Sequence, residues 1–478
     1  MRVQAKSDSA ASQPSHRPTV VVQGLGFVGA AMALAVARAR TAGGSPAYDV
    51  IGVDLPTPRG CAAAESLNAG RFPFGTVDDR LAEAATAARE TGNLVATTDE
   101  RAYDAAHVVV VDVDLDLASD FDETPRVAFD RFENAIETVG RHIAPGCLVM
   151  VETTVPPGTC ERIVHPILAR CFEARGVDPT KVLLAHSFER VMPGAEYLDS
   201  IVNFWRVYAG HDETAADRCA AFLSSVVNVV EYPLTRVAST TASETAKLLE
   251  NTYRAVNIAL IDEWSRFAEA VGVDLFEVIA AIRMRPTHNN IRQPGFGVGG
   301  YCLTKDPLFA MAGAAQLFGR EDLAFPLSRS GVEINRRMPL ASAAQLRSML
   351  GIGLAGRRLL LLGVSYRPEV DDTRYSPSQT FVEAMKREGA DVTVHDPLVR
   401  HWAELDIDIP EQMPPANGFD AVIFAVSHRE YREIDPARWL AGARPAILDA
   451  NDVLSAAQRE AFGAAGCRIE CIGRGRAA

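Results

Sequence analysis

Basic residues are in short supply in this chain of 478 residues: 48 Lys and Arg stand against 61 Asp and Glu, a formal net charge of −13. No cationic surplus exists to neutralise phosphates, which argues against a nucleic-acid partner. Long apolar runs are missing as well, and no segment reaches the length of a membrane span. The stretch from Met1 to Pro18 is polar and lacks the apolar core of a signal peptide. Cysteines number eight, at 61, 147, 160, 171, 219, 302, 467 and 471, and no spacing among them reads as a zinc site or a C-x-x-C redox pair. Free thiols of this kind fit a reducing cytoplasm, with no metal and no membrane in view. Hydrophobic residues make up 48% and charged residues 23%, an ordinary globular balance, and the length calls for two or three domains.

The richest stretch runs Gly295-Phe296-Gly297-Val298-Gly299-Gly300-Tyr301-Cys302-Leu303-Thr304-Lys305-Asp306. Glycines allow positive φ and close approach of a ligand, so this loop is able to wrap a substrate. Cys302 follows the glycines directly and precedes a carboxylate by four residues. It reads either as a nucleophile tuned by Lys305 and Asp306 or as an ordinary buried thiol.

Residues 1–17 read as a disordered polar tail. Thr19 to Val22 then reads as a buried strand that runs into Gly24-Leu25-Gly26-Phe27-Val28-Gly29 and an Ala-rich helix from Ala30 to about Arg40. A second strand, Tyr48 to Val53, ends at Asp54, after an insertion from Thr41 to Asp49. A G-x-G-x-x-G between strand and helix is the dinucleotide fingerprint, with the pyrophosphate on the helix N-terminus. Asp54 is placed to bind the adenosine ribose hydroxyls, and its charge favours NAD over NADP. Further strands are expected at His107–Val113 and Cys147–Val151, the second followed by Glu152-Thr153-Thr154 at a sheet's carboxyl end. A long helix is expected from about Ala238 to Val271, with Glu244, Lys247 and Asn251 at helical spacing, as a site or as a solvated face. From about Arg357 a second α/β alternation begins, without the glycine fingerprint. The expected fold is therefore α/β, two Rossmann-like doubly wound domains joined by a central helical segment. The expected bounds are 18–235 for the NAD-binding domain, 236–345 for the centre and 346–478 for the second domain.

Together these motifs resemble the nucleotide-sugar 6-dehydrogenases, the UDP-glucose/GDP-mannose dehydrogenase family, over roughly residues 18 to 475. The resemblance rests on Gly299 to Asp306, Lys247-Leu248-Leu249-Glu250-Asn251, Ser187 to Gly194 and Asp371 to Pro377. It implies a four-electron oxidation of a UDP-sugar C6 hydroxymethyl to a carboxylate with two NAD+. Cys302 would form a thiohemiacetal and then a thioester. Lys247 and Asn251 would stabilise the oxyanion, Asp306 would act as base, Glu189 would assist the hydrolytic water, and Thr154 would lie near the nicotinamide. Gly24, Gly26, Phe27, Val28, Gly29, Asp54, Thr154, Lys305 and Arg374 are the implied cofactor contacts. Glu189, Arg190, Lys247, Asn251, Asn290, Phe296, Gly297, Gly299 and Arg367 are the implied substrate contacts. A homodimer through the central helix is likewise implied by the resemblance.

The chain departs from the family pattern at Phe188, where a proline is usual, at Val111-Asp112-Val113-Asp114, where a Pro-Thr turn is usual, and at Ile291. Glu189 to Gly194 resembles members acting on N-acetylhexosamines, whereas Tyr301 to Asp306 resembles UDP-glucose enzymes, so the sugar stays open between them. The alternative is structural: Glu189 and Arg190 paired with each other, and Asp371, Asp372 and Arg374 joined in a loop salt-bridge network. Two rival functions remain: a two-electron β-hydroxyacid-type dehydrogenase, and a catalytically silent nucleotide-sugar sensor.

Overall fold

The computed structural model describes residues 17–118, 124–351 and 353–475, so the expected tail, apart from Arg17, lies outside the described residues. The first domain alternates β1 (Thr19–Gln23), α1 (Phe27–Arg38), β2 (Asp49–Val53), α2 (Pro58–Asn68), α3 (Asp79–Thr91), β3 (Leu94–Thr97) and β4 (Val108–Val111). It continues through α4 (Asp130–His142), β5 (Leu148–Val151), α5 (His165–Ala174), β6 (Leu183–His186), α6 (Asp199–Val202), β7 (Val207–Gly210), α7 (Glu213–Val226) and β8 (Thr235–Arg236). Its sheet has the order β3-β2-β1-β4-β5-β6-β7-β8. The strands from β3 through β6 pair in parallel, and β7 runs antiparallel to β6. The strand order reverses between β1 and β4, which opens a crevice at their carboxyl ends.

Alternation along the strands builds the two layers. Val20 and Val22 of β1 face the core that holds α1, while Val21 faces the opposite core with Val109 and Val111 of β4. Helix α1 starts at Phe27 rather than Ala30 and stops at Arg38 rather than Arg40, because extended Gly26 already serves as its N-cap. Strand β4 also ends sooner than expected, at Val111. The Val111 carbonyl accepts the amides of Glu152 and Thr153, so the chain leaves the sheet at Asp112. The insertion after α1 closes on itself through an Arg40–Pro46 bridge.

The centre consists of α8 (Thr240–Val271), α9 (Leu275–Arg283), α10 (Tyr301–Phe318) and α11 (Pro326–Leu350). Ser239 caps α8 through its hydroxyl, and Gly272 ends it at φ +80°. The last domain runs β9 (Arg358–Leu362), α12 (Pro377–Arg387), β10 (Asp391–His395), a small hairpin of β11 (His401–Trp402) and β12 (Ile407–Asp408), and β13 (Ala421–Phe424). It closes with α13 (Arg429–Arg432), α14 (Pro436–Leu440), β14 (Ala446–Asp449), α15 (Ala456–Ala464) and β15 (Ile469–Cys471). Its parallel sheet has the order β10-β9-β13-β14-β15. Leu359 and Leu361 pack with Phe381 and Met385 on one face, and Leu360 and Leu362 with Tyr431 and Phe462 on the other. Both sheets are thus covered on both faces, as two doubly wound domains require.

Candidate active site

Helix α8 decides whether its polar residues are a solvated face. Glu244, Lys247 and Asn251 are 0%, 5% and 1% exposed, and charged side chains are buried this far only when partnered. Lys247 Nζ donates to the Glu189 carbonyl at 2.6 Å and stands 3.7 Å from the Glu189 carboxylate. Asn251 Nδ2 donates to Asp306 Oδ2 at 2.8 Å, and Lys305 Nζ lies 3.5 Å from Asp306 Oδ1. Burial alone would lower the Lys247 pKa, but the facing Glu189, Cys302 and Asp306 outweigh it and raise it. Asp306 moves up through burial, with Lys305 and Lys247 opposing.

Cys302 is the second residue of α10 and is open to the cleft, with protein crowding around its sulfur. Burial first, and then the Asp306 charge, push the thiol up to about 11 against the pull of Lys247. Cys302 therefore rests as a thiol, and ionising it requires a base. Gly299 and Gly300 leave room for other parts of the protein rather than for a ligand. A Cβ on Gly299 would sit 2.5 Å from the Tyr375 carbonyl, and one on Gly300 2.9 Å from the Tyr366 ring. The last domain thus closes onto the turn that carries Cys302.

The fingerprint turn fits a dinucleotide. Gly24 has φ +90° and no space for a side chain, since a Cβ would lie 2.4 Å from the Asp112 carbonyl. A Cβ on Gly29 would meet the Gly24 carbonyl at 1.9 Å, whereas nothing lies within 4 Å of one on Gly26, which leaves an open approach to the amides at the start of α1. Phe27 and Val28 form the first turn of α1, and the Phe27 ring stacks on Phe74. Asp54 follows β2 and accepts the amides of Leu25 and Leu55 at 2.9 and 2.7 Å, which ties the glycine turn to the strand end. Thr154 is half-buried on the loop after β5. That loop is held by Glu244, whose oxygens accept the Gly158 and Cys160 amides at 2.6 and 2.8 Å.

Several expected residues take other partners. Glu189 and Arg190 do not pair: Arg190 binds Glu250 at 2.8 Å and the Trp205 carbonyl at 2.5 Å. Phe188, in place of the usual proline, offers its ring to Arg190 and Lys247. Arg374 does bond Asp372, at 2.7 Å, and stacks on Phe27 and Tyr301 at the domain junction. Asp371 instead lies against Gly75 of the first domain. Lys305 directs its ammonium to the Leu115 carbonyl at 2.7 Å. Arg367 is half-buried near Gly194, and Asn290 is exposed with Tyr253 as its partner.

Next to Leu303 opens a cavity of about 400 Å³ lined by Arg254, Arg283, Arg292, Gly295, Gly297 and Asn451, with Phe296 buried behind it. Burial, then the neighbouring Arg254 and Arg283, lower the Arg292 pKa, and Asp452 lines the same cavity. Sequence reading missed this arginine trio, because residues from α8, the end of α9 and a loop share no local pattern. It also gave no role to Glu152 and passed over Arg206, which form a buried ion pair at 2.5 Å.

A glycine turn shaped for a dinucleotide, with an accessible thiol beside a buried lysine, amide and carboxylate, defines an NAD-dependent oxidoreductase. Three models of the UDP-glucose/GDP-mannose dehydrogenase family match the chain: the NAD binding domain over residues 18–226, the central domain over 241–337 and the UDP binding domain over 360–456. The chain belongs to that family. A UDP-N-acetyl-D-mannosamine dehydrogenase of Pyrococcus horikoshii is 31% identical over 87% of this chain and 91% of its own length. The structure of the UDP-D-ManNAc dehydrogenase from Pyrococcus horikoshii superposes with a TM-score of 0.78 at 28% identity, over 96% of this chain and 100% of that one. A UDP-glucose dehydrogenase from Pyrobaculum islandicum gives a TM-score of 0.78 at 27% identity, over 94% and 97%. Among the described residues, no helix is long and apolar enough to cross a membrane.

Proposed function

We propose that this protein oxidises the C6 hydroxymethyl of a UDP-sugar to a carboxylate through a covalent adduct on Cys302. The observation that carries the reading is the convergence of Cys302, Lys247, Asn251, Asp306 and Glu189 on one cleft between the two domains. When bound, NAD+ accepts a hydride at each of the two oxidations, so two are reduced per sugar. Gly24, Gly26, Phe27, Val28, Gly29 and Asp54 are the residues that would hold it, with Thr154, Lys305 and Arg374 toward the reacting end.

The chain's own residues supply the rest. Asp306 takes the thiol proton as the Cys302 sulfur adds to the C6 aldehyde. The Lys247 ammonium and the Asn251 amide face the developing oxyanion in a water-poor setting, where such donors count most. After the second oxidation, Glu189 orients the water that releases the acid from the thioester and restores the thiol. Arg254, Arg283 and Arg292 suit a diphosphate, Gly297 lines the same cavity, and Phe296 and Gly299 are assigned to the substrate loop that leads from it to Cys302. Arg190, Arg367 and Asn290 are assigned to the edge of the substrate site.

The relative's name and the Glu189–Gly194 motif favour a UDP-N-acetylhexosamine. The likeness to a UDP-glucose dehydrogenase structure keeps UDP-glucose as the second donor to test. Functional units of 18–235, 236–345 and 346–478 place chemistry in the middle and nucleotide binding at both ends. All eight cysteines are free, consistent with action in the cytoplasm. On α8, Leu249, Tyr253, Leu260, Trp264, Phe267 and Val271 form a stripe at helical spacing, each 48–66% exposed, which suits a second copy of the chain. The test is acid production from a panel of UDP- and GDP-sugars by the wild-type protein and by Cys302→Ser. Uronic acid made by the wild-type alone supports the reading, and full acid production by the variant overturns it.

A further inference from the structure

Beneath the glycine turn lies a group of charges in which Asp112, Glu152 and Arg206 take no part in the proposed chemistry. Asp112 follows β4, Glu152 follows β5, Glu189 follows β6 and Arg206 directly precedes β7. Glu152 Oε1 accepts from Arg206 Nη1 at 2.5 Å, with both side chains no more than 1% exposed. Asp112 Oδ2 and Glu152 Oε2 are shut off from water without a donor, Arg206 Nε and Nη2 are buried without an acceptor, and the Asp112 and Glu152 carboxyls interact directly. Helix α1 presents only apolar residues and glycine from Gly29 to Ala37. Helix α7 brings Cys219 near Glu152 and Arg206, while Glu189 is engaged with Lys247 of α8. Three carboxyls therefore meet two cations, Arg206 and Lys247, with Glu152 and Arg206 fully buried and Asp112 half-buried.

Position gives this surplus its meaning. A Cβ on Gly29 would sit 3.2 Å from the Asp112 Cβ, and one on Gly24 2.4 Å from the Asp112 carbonyl. The Asp112 residue thus lies directly against the turn whose amides would hold a cofactor diphosphate. An ionised Asp112 beside an ionised Glu152 would add negative charge next to the turn that would bind an anion.

We propose that Asp112 carries a proton shared with Glu152 and serves as a positioning residue, an uncharged floor of the cofactor site. Burial, and then the Glu152 charge, act in the same direction by raising the Asp112 pKa well above that of an ordinary aspartate. The inference rests on the cofactor turn and the Asp112–Glu152–Arg206 group, and does not need Cys302 to be a nucleophile.

Infrared spectroscopy of the wild-type protein and of Asp112→Asn at pH 8, with NAD+ titration by calorimetry at pH 7, tests it. The wild-type is expected to show a protonated-carboxyl band that Asp112→Asn lacks. The neutral amide should keep NAD+ affinity within about threefold of wild-type. An unchanged carboxyl band, or a loss of affinity beyond about threefold in a variant that melts like wild-type, overturns the proposal. Asp112→Ser, neutral and smaller, takes the same two measurements if Asp112→Asn does not fold.

Discussion

Cys302 sits where a helix N-terminus would ordinarily favour a thiolate, yet burial and Asp306 hold it as a thiol at about 11. Alkylation by iodoacetamide in the absence of substrate should therefore be slow at pH 7 and keep rising toward pH 11. A rate that already levels off below pH 8 would contradict that environment. Cys302→Ser should lower uronate formation on the order of a thousandfold or more, because the nucleophile acts as a unit with its neighbours. At this scale the sequence was informative where chemistry is local, as at Cys302 and Asp306, four residues apart on one helix. It was silent where partners come from distant elements. Arg190 turned to Glu250 rather than Glu189, and Arg206 found Glu152 across 54 positions.

At the scale of elements, the glycine turn and the loop after β5 are the parts with least room to vary. Gly29→Ala places a methyl 1.9 Å from the Gly24 carbonyl, so the turn must open. NAD+ binding is expected to fall by at least about tenfold, roughly 1.4 kcal/mol, and calorimetry reads it directly. Glu244 holds the second loop with both oxygens, and burial raises its pKa from 4.5 to about 7. The folded state then binds this proton more tightly than the unfolded chain, so the carboxyl's contribution to stability falls as pH rises from about 4.5 to about 7. Glu244→Gln removes that slope from a plot of melting temperature against pH. It also loses one acceptor for a buried amide, at a cost of about 1–3 kcal/mol. Wild-type and variant curves that run parallel through this window would contradict the assignment. Strands and helices were legible from their apolar runs and from Ser239 and Gly272 at the ends of α8. The ends of α1 and β4 were not, because a capping Gly26 and a carbonyl shared between Glu152 and Thr153 set them.

For the whole molecule, the two doubly wound domains close on a helical centre, and the cleft depends on contacts made across it. Tyr366 and Tyr375 press on the turn that carries Cys302, and Arg374 bridges Phe27 and Tyr301. Two parallel sheets were readable from alternating strands and helices. These contacts were not, since nothing in the spacing of Tyr366 or Tyr375 announces a neighbour in another domain. The exposed stripe on α8 predicts that the protein sediments as a dimer and that Trp264→Glu with Phe267→Glu yields folded monomers. A monomeric wild-type protein would contradict this.

The central claim is a four-electron oxidation at one cysteine-bearing cleft. It is tested most directly by the NADH formed per sugar consumed, run to completion with each UDP- and GDP-sugar in turn. Two NADH per sugar with a preferred donor is the predicted result. One NADH per sugar, with the aldehyde as the product, would contradict it.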